Sequence, residues 1–245
     1  MYMVRKMVII KKQILLALLL LTAAPAAAQD NEPKTTPKAT YYDSDGNLQE
    51  VTNIDEGEAP LEVTFYANPE NMEDYTPAYE WHFQRQGEET DFMVRYEETT
   101  TYRFVESGTY NVVLKVTLDD EGTVIENPPI VVTILESKLE FPNAFSPNNG
   151  DDINNIYKAK EGYKSIVEFH AYIFNRWGQK LFEWTDPADG WDGTYKGKDV
   201  KEGVYFVLVK AKGADGHVYH IRKDVNLLRG YTESTTNNNN SGSGY

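Results

Sequence analysis

The sequence predicts an all-β fold, in which two tandem immunoglobulin-like β-sandwiches follow a cleavable signal peptide. Short segments with alternating apolar and polar residues recur along the chain, and clusters of Gly, Asp, Asn and Pro separate them. No helical period competes with this alternation between residues 57 and 135. The 245 residues are 40% hydrophobic and 13% aromatic, which suffices for one or two packed cores.

The amino terminus has the parts of a secretory signal peptide. Basic residues precede an apolar run over 14–21, and Ala26 to Ala28 provide an A-x-A cleavage site. A membrane anchor is the competing interpretation, but the run is far shorter than the roughly 20 residues that span a bilayer. We therefore expect residues 1–28 to be removed on export. The polar segment 29–39, which contains two prolines, is predicted to be a flexible spacer.

Composition excludes several classes of protein. The chain has no cysteine, so it can form neither a disulfide framework nor an acyl-cysteine anchor. Its formal charge is −14, and no run of Lys and Arg follows the signal segment. A nucleic-acid partner is disfavoured, because phosphate binding needs a basic face.

Residues 40–137 are predicted to form the first sandwich. A hairpin spans Thr40 to Val51, with Asp45-Gly46 in its turn. Further strands are indicated by apolar residues two apart or in short runs, at Leu61–Phe65, Tyr79–Phe83, Tyr110–Val116 and Ile130–Leu135.

Residues 138–229 are predicted to form the second sandwich. Alternation over 167–174, a turn at 175–178 and a second strand at 180–184 predict a hairpin. The segment 204–209 is apolar on both faces, which is typical of a central strand. An edge strand is expected at 217–222, a last strand at 225–229, and a disordered polar tail at 230–245.

The second domain resembles a known family. The blocks IFNRWGQKLFEW, GWDGTYKGKDVKEGVYFVLVKAKGADG and VNLLR, within about Leu139 to Arg229, are similar to the gliding-motility-associated C-terminal domain, the type B sorting domain of type IX secretion. The resemblance implies recognition by the type IX machinery and contact with a small outer-membrane β-barrel. It also implies export through the periplasm to the cell surface or the medium.

The first domain resembles the polycystic-kidney-disease (PKD) family. The similar blocks are GEAPLEVTF, YEWHF, and TYRF followed by ESGTYNV. PKD domains usually act as spacers or adhesive modules on extracellular proteins. The resemblance therefore implies a displayed or adhesive module without catalytic activity.

Four residues are candidates for contact with a partner: Arg176, Trp177, Trp184 and Trp191. We expect them to be exposed loop aromatics and charges. The structural interpretation, in which each is a core or turn residue, stays open. Trp191 in particular is expected to fold over an apolar surface, because Asp, Pro and Gly surround it and no regular element can pass through.

One loop offers oxygen donors for a metal. Asp151, Asp152, Asn154 and Asn155 carry the hard ligands that Ca²⁺ prefers, although the EF-hand spacing is absent. Such residues beside Gly also cap turns. A structural turn without a cofactor is the interpretation that we favour, and calcium is the alternative.

The sequence predicts no enzyme. There is no cysteine nucleophile, and neither G-x-S-x-G nor H-E-x-x-H occurs. Two alternatives to an export-and-display function come from other classes of protein. One is a carbohydrate-binding or adhesive module that uses Tyr and Trp, and the other is a structural subunit that assembles by strand addition at an exposed edge.

Overall fold

The computed structural model describes residues 32–118, 122–148 and 154–229, and every regular element in these ranges is a β-strand. The predicted signal peptide and the predicted tail lie outside the described residues. The prediction of an all-β, immunoglobulin-like protein is confirmed. Across the described ranges, no helix is long and apolar enough to cross a membrane.

The described part of the first lobe (32–118 and 122–137) contains twelve strands. They are β1 (Lys34–Thr35), β2 (Lys38–Tyr42), β3 (Leu48–Val51), β4 (Ile54–Gly57), β5 (Leu61–Tyr66), β6 (Pro69–Glu70), β7 (Pro77–Arg85), β8 (Asp91–Arg95), β9 (Thr99–Phe104), β10 (Gly108–Leu118), β11 (Thr123–Glu126) and β12 (Ile130–Ile134). One large sheet has the order β4-β12-β10-β7-β8, with β11 paired to β10, and the other large sheet has the order β3-β2-β5-β9. Strands β1 and β6 pair in a separate two-stranded sheet.

The two sheets of the first lobe cover each other through their alternating apolar residues. Phe65 of β5 packs against Trp81 and Phe83 of β7, with ring centroids 5.8 and 5.5 Å apart. All three side chains are fully buried, and each stabilises the fold by about 1.5–3 kcal/mol through burial alone. The indole N–H of Trp81 donates to the Glu97 carbonyl at 2.9 Å.

In the second lobe (residues 138–229), the segments 138–148 and 154–229 that the structure describes contain seven strands. They are β13 (Ala144–Phe145), β14 (Ile166–Phe174), β15 (Lys180–Trp184), β16 (Thr194–Tyr195), β17 (Lys198–Asp199), β18 (Gly203–Gly213) and β19 (Val218–Leu227). Five of them form one sheet in the order β13-β19-β18-β14-β15, and β16 pairs with β17 in a separate hairpin.

Irregular chain forms most of the second layer of this lobe. Leu139, Phe141, Tyr157, Ala159 and Trp191 lie outside the sheet, yet all are buried against it. Because aromatic rings bring a large apolar area, a few of them can cover a sheet that has no second sheet opposite it.

Two sequence predictions need correction. The spacer reaches less far than residue 39, because Lys34 and Thr35 pair with Glu70 and Pro69, and β2 begins at Lys38. The segments 217–222 and 225–229 are not two strands, since β19 runs without interruption over Val218–Leu227. Strand β18 is central in its sheet as predicted, and one of its two faces is buried.

Both lobes have the same arrangement of a Gly and a Tyr at the start of their longest strand. Gly108 opens β10 and Gly203 opens β18, each with a positive φ. Two residues later, the Tyr110 hydroxyl donates to the Glu106 carbonyl at 2.9 Å, and the Tyr205 hydroxyl donates to the Lys201 carbonyl at 2.6 Å. The matching segments read VESGTY and VKEGVY, a repeat that the sequence analysis missed.

The turn between β18 and β19 joins the lobes. Ala214 is buried among the core residues of the first lobe, and its carbonyl accepts from the Ser107 N–H at 3.0 Å. Its own N–H donates to the Ser165 carbonyl at 2.9 Å, while the Ser165 hydroxyl accepts from the Ala59 N–H at 3.2 Å. The lobes therefore share buried contacts as well as the connecting chain.

Candidate functional site

The four predicted partner residues divide into two pairs. Trp177 is 81% exposed and Arg176 is exposed beside it. Trp184 and Trp191 are 5% and 0% exposed, so the expectation that they are exposed is wrong. Neither buried ring offers a surface that a partner could contact.

The two buried tryptophans are core residues of the second lobe. Trp191 lies 5.1 Å from the Tyr205 ring and 5.3 Å from the Phe145 ring, and its indole N–H donates to the Thr194 carbonyl at 2.7 Å. Trp184, on the core face of β15, packs 5.8 Å from Phe182. The expectation that Trp191 folds over an apolar surface is confirmed.

The turn between β14 and β15 presents the exposed pair. The Asn175 side chain accepts hydrogen bonds from the Trp177 and Gln179 backbone N–H groups, both at 3.0 Å. Gly178 supplies the positive φ that closes the turn. Arg176 lies over the Trp177 ring at 5.4 Å, an arrangement that allows a cation–π interaction. The turn is therefore rigid, while its two large side chains point into solvent.

The β16–β17 hairpin lies beside this turn. The Gln179 side chain donates to the Tyr195 hydroxyl at 3.1 Å. Lys196, in the turn of the hairpin, lies over the Tyr195 ring at 5.3 Å, and Lys198 is exposed on the returning strand. Two successive hairpins thus place basic and aromatic side chains together.

The start of β18 adds a further cation. Lys201 is exposed, and its carbonyl accepts from the Tyr205 hydroxyl. Burial raises the pKa of Tyr205, and the charges of Arg229 and Arg176 oppose that rise. Arg229 also donates to the Gly193 and Val200 carbonyls at 3.2 and 3.0 Å. We call the resulting group the distal tip: Arg176, Trp177, Tyr195, Lys196, Lys198 and Lys201.

Most of the distal tip was not among the predicted contact residues. No run of Lys and Arg occurs in the sequence after the predicted signal peptide. Folding creates the cluster, because Arg176 and Lys196 come from different hairpins. A usable signal was present in the segment YKGKDVK, which carries three lysines around a Gly turn.

The outer face of the second-lobe sheet is partly apolar. Val204 and Phe206 of β18 are 45% and 42% exposed, and Phe174 and Leu208 are half-buried beside Phe206. A shallow depression of about 400 Å³ lies along this face. Nothing in the described chain covers it, so β18 is central in its sheet, as expected, while its outer face is open.

The suggested calcium loop is described only in part. Asp151 and Asp152 lie outside the described residues. Asn154 has a positive φ, its carbonyl accepts from the Ser146 N–H at 2.9 Å, and the Asn155 side chain accepts from the Asn148 N–H at 3.1 Å. Both residues shape a turn, as the favoured interpretation expects, and calcium binding stays an untested prediction.

A metal or catalytic centre finds little support in the described ranges. They contain no group of three or more His, Asp and Glu side chains that could hold a metal ion. His82 contacts Asp91 at 2.7 Å and Glu80 at 3.3 Å on the surface of the first lobe. His170 lies 3.8 Å from Glu183, and no serine or threonine nucleophile is among the contacts of either ring.

Charge is distributed unevenly between the lobes. Residues 32–137 carry 23 Asp and Glu but only 6 Lys and Arg, whereas residues 138–229 carry 13 and 14. The molecule therefore has a strongly acidic end in the first lobe. The distal tip, with its cations, belongs to the nearly neutral second lobe.

Comparison with known families identifies the second lobe. The architecture defines an all-β protein with two immunoglobulin-like lobes. The model of the CHU_C type IX secretion signal domain matches residues 139–227, so the second lobe is a type IX secretion signal domain and the predicted family is confirmed. The signal domain indicates an exported cargo protein, found at the cell surface or outside the cell.

Solved structures resemble the chain only distantly, and no curated protein matches it. Three N-terminal domains of the highly immunogenic outer capsid protein of bacteriophage RB49 align with a TM-score of 0.37 and 15% identity over 80% of this chain. The chain spans 59% of that phage structure. A tetra-tandem repeat of a large adhesion protein aligns with a TM-score of 0.28 and 11% identity, covering 80% of this chain and 68% of that one.

Proposed function

We propose that the protein is a non-catalytic cargo of type IX secretion, whose second lobe is the export signal and whose acidic first lobe is displayed at the cell surface. The observation that carries this proposal is the family match over residues 139–227. The first lobe is consistent with the PKD-like module that its sequence resembles, since two sheets enclose one core without a catalytic cleft among the described residues.

The partner that we propose is the type IX machinery together with a small outer-membrane β-barrel. Arg176 and Trp177 are the predicted contact residues that remain, because both are exposed on a rigid turn. An exposed aromatic beside an Arg is typical of side chains that dominate protein interfaces. Trp184 and Trp191 support the lobe from inside and are no longer part of this proposal.

Localisation of a reporter in cells tests the export function. A passive reporter is placed between the predicted signal peptide and residues 29–245, so that both lobes and their shared contacts stay together. We expect added protease to reach the reporter on intact cells that have the export apparatus, and the reporter to stay periplasmic in cells that lack it. Retention in the periplasm of apparatus-competent cells would refute the proposal.

Variants of the same fusion test the contact residues. Arg176→Ala with Trp177→Ala is expected to lower surface display, whereas Lys138→Ala, at the other end of the same lobe, is not. Equal display of all three proteins would contradict a role for the turn and leave the export signal elsewhere on the lobe.

A second candidate function is carbohydrate binding, favoured by a cleft of about 470 Å³ between the lobes. Tyr41, Tyr42, Tyr163 and Phe169 line it together with Glu58 and other polar side chains, and aromatic rings with hydrogen-bonding groups are suited to sugars. A glycan array tests this function, with Tyr42→Ala and Tyr163→Ala as variants. Binding that survives both variants, or no binding at all, would exclude the cleft.

A further inference from the structure

The distal tip lies at the end of the second lobe that faces away from the first lobe. Strand β14 begins beside Ser165, which contacts the first lobe, and ends at the turn that holds Trp177. Strand β18 runs in the opposite direction, from the tip to the Ala214 turn that is buried in the first lobe. The acidic lobe and the basic tip therefore occupy opposite ends of the molecule.

The cations of the tip are not neutralised by the described residues. Arg176, Lys196, Lys198 and Lys201 have no carboxylate within ion-pair distance in the ranges that the structure describes, whereas Asp199 is paired with Arg229 at 3.3 Å. Glu202 is the other acidic residue of the segment 194–202. Unpaired cations on adjacent hairpins make the tip attractive to an anionic surface.

Trp177 adds an exposed aromatic ring to the basic side chains of the distal tip. Its side chain is 81% exposed, so most of a large aromatic ring is held in water, with the Arg176 guanidinium 5.4 Å from the ring centroid. Trp is favoured at the boundary between water and lipid, where the ring reaches the acyl region and the indole N–H stays hydrated. The tip thus combines the two features of an interfacial anchor, basic side chains and an exposed Trp.

The charge of the first lobe favours one orientation on such a surface. With 23 acidic and 6 basic residues over 32–137, that lobe is repelled by anionic lipid, while the tip is attracted. Attraction is expected within about 8–10 Å of the surface at physiological salt. The molecule should therefore stand with the tip on the surface and the acidic lobe away from it.

We propose that the distal tip docks on a phosphate-bearing lipid surface, with Trp177 at the interface and the Arg and Lys side chains on the lipid phosphates. This surface goes beyond the export function and does not depend on it. Long cationic side chains around one exposed Trp are suited to contact with a soft lipid layer.

The intrinsic fluorescence of the protein tests the proposal directly. Of the four tryptophans, Trp81, Trp184 and Trp191 are buried, so a change in emission on binding reports on Trp177. The purified exported chain is titrated with vesicles of phosphatidylglycerol and, separately, of phosphatidylcholine. We expect a blue shift of the emission, with quenching by brominated acyl chains, for phosphatidylglycerol alone, and weaker binding at high salt. At equal ionic strength, inorganic phosphate is expected to weaken binding no more than chloride does.

Matched charge reversals separate the tip from general electrostatics. Each basic side chain near an anionic membrane contributes about fivefold to affinity, so Lys196→Glu with Lys198→Glu should weaken binding by about 25-fold or more. Lys138→Glu, an exposed residue at the opposite end of the lobe, should leave affinity within about threefold. Unchanged thermal unfolding of the variants shows that the fold survives.

Three results would overturn the proposal. One is the absence of phosphatidylglycerol-dependent binding, including the case in which an acidic protein binds the tip and vesicles do not. Another is an equal loss of binding in the tip variants and in Lys138→Glu. The third is vesicle binding that leaves the emission of Trp177 unchanged. Each result concerns purified protein and vesicles, so it is independent of the outcome of the export experiment.

Discussion

The first lobe closes its core with two sheets, whereas the second lobe closes its core with one sheet and a layer of irregular chain. In the first lobe, backbone hydrogen bonds hold both layers, so Trp81 is one buried ring among many. In the second lobe, side chains such as Trp191 and Tyr157 must hold the irregular layer on the sheet. A layer of mostly irregular chain can thus close the core of a β-sheet when large aromatic rings pack it against the sheet.

The largest expected effect is the loss of a buried tryptophan, and it should differ between the lobes. Trp191→Ala is expected to cost about 3–5 kcal/mol, near the upper end, because the ring holds a layer without a sheet of its own. Trp81→Ala should fall near the lower end of the same range. Denaturant unfolding measures both, with Trp177→Ala as an exposed control expected within about 0.5 kcal/mol. A smaller loss of stability for Trp191→Ala than for Trp81→Ala would contradict the claim that the second lobe depends more strongly on its buried rings.

A close backbone approach in the irregular layer gives the next effect. A Cβ atom on Gly190 would lie 2.4 Å from the Tyr157 carbonyl oxygen, at the point where the Tyr157 and Trp191 backbones exchange two hydrogen bonds. Gly190→Ala should therefore destabilise the protein by about 1–3 kcal/mol. A Cβ atom on Gly197 would meet nothing within 4 Å, and φ at this residue is +73°. Asn tolerates a positive φ better than most residues, so Gly197→Asn is expected to cost less than Gly190→Ala. Equal unfolding midpoints for both variants would show that the irregular layer shifts to accommodate the added methyl group at little cost in stability.

The Tyr hydrogen bond that occurs in both lobes predicts equal losses of stability when either hydroxyl is removed. Tyr110→Phe and Tyr205→Phe each remove one hydroxyl that donates to the carbonyl four residues earlier. Each should cost about 0.5–1.5 kcal/mol, because a single intramolecular hydrogen bond contributes that much. Unfolding of the two variants under identical conditions measures the effect. A cost confined to one lobe would mean that the repeat has lost its role in the other.

The smallest effect concerns pH and the contact between the lobes. Burial raises the pKa of Asp215, but hydrogen bonds from the His217 backbone and from Ser137 outweigh it and hold the carboxyl pKa below its ordinary value. A lowered pKa in the folded state stabilises the protein above the unfolded pKa of about 4, and this contribution is lost as pH falls through the folded pKa. Thermal unfolding at decreasing pH should therefore show a smaller loss of stability in Asp215→Asn than in the natural chain. If the thermal stability of both proteins falls equally with pH, the Asp215 carboxyl does not contribute to the pH dependence of stability.

The alternation of apolar and polar residues was sufficient to predict the main strands, because it determines which side chains of a strand face the core. The segments around Phe65, Val112 and Ile173 follow this rule and are buried as expected. Trp184 was misjudged as an exposed loop residue, whereas it is the last residue of β15, pairs with Ala171 and is buried in the core. The distal tip was missed for another reason: its residues meet only when two hairpins pack side by side.

The burial of Ala214 inside the neighbouring lobe has a practical consequence for the use of this signal domain as a fusion tag. A foreign passenger joined at residue 138 would not offer the recess that receives this methyl group, nor the amide of Ser107 that binds the Ala214 carbonyl. The exposed loop would then be free to move or to attract aggregation. Engineers who wish to transplant the tag should carry the first lobe with it, or redesign the loop as a solvent-exposed β-turn.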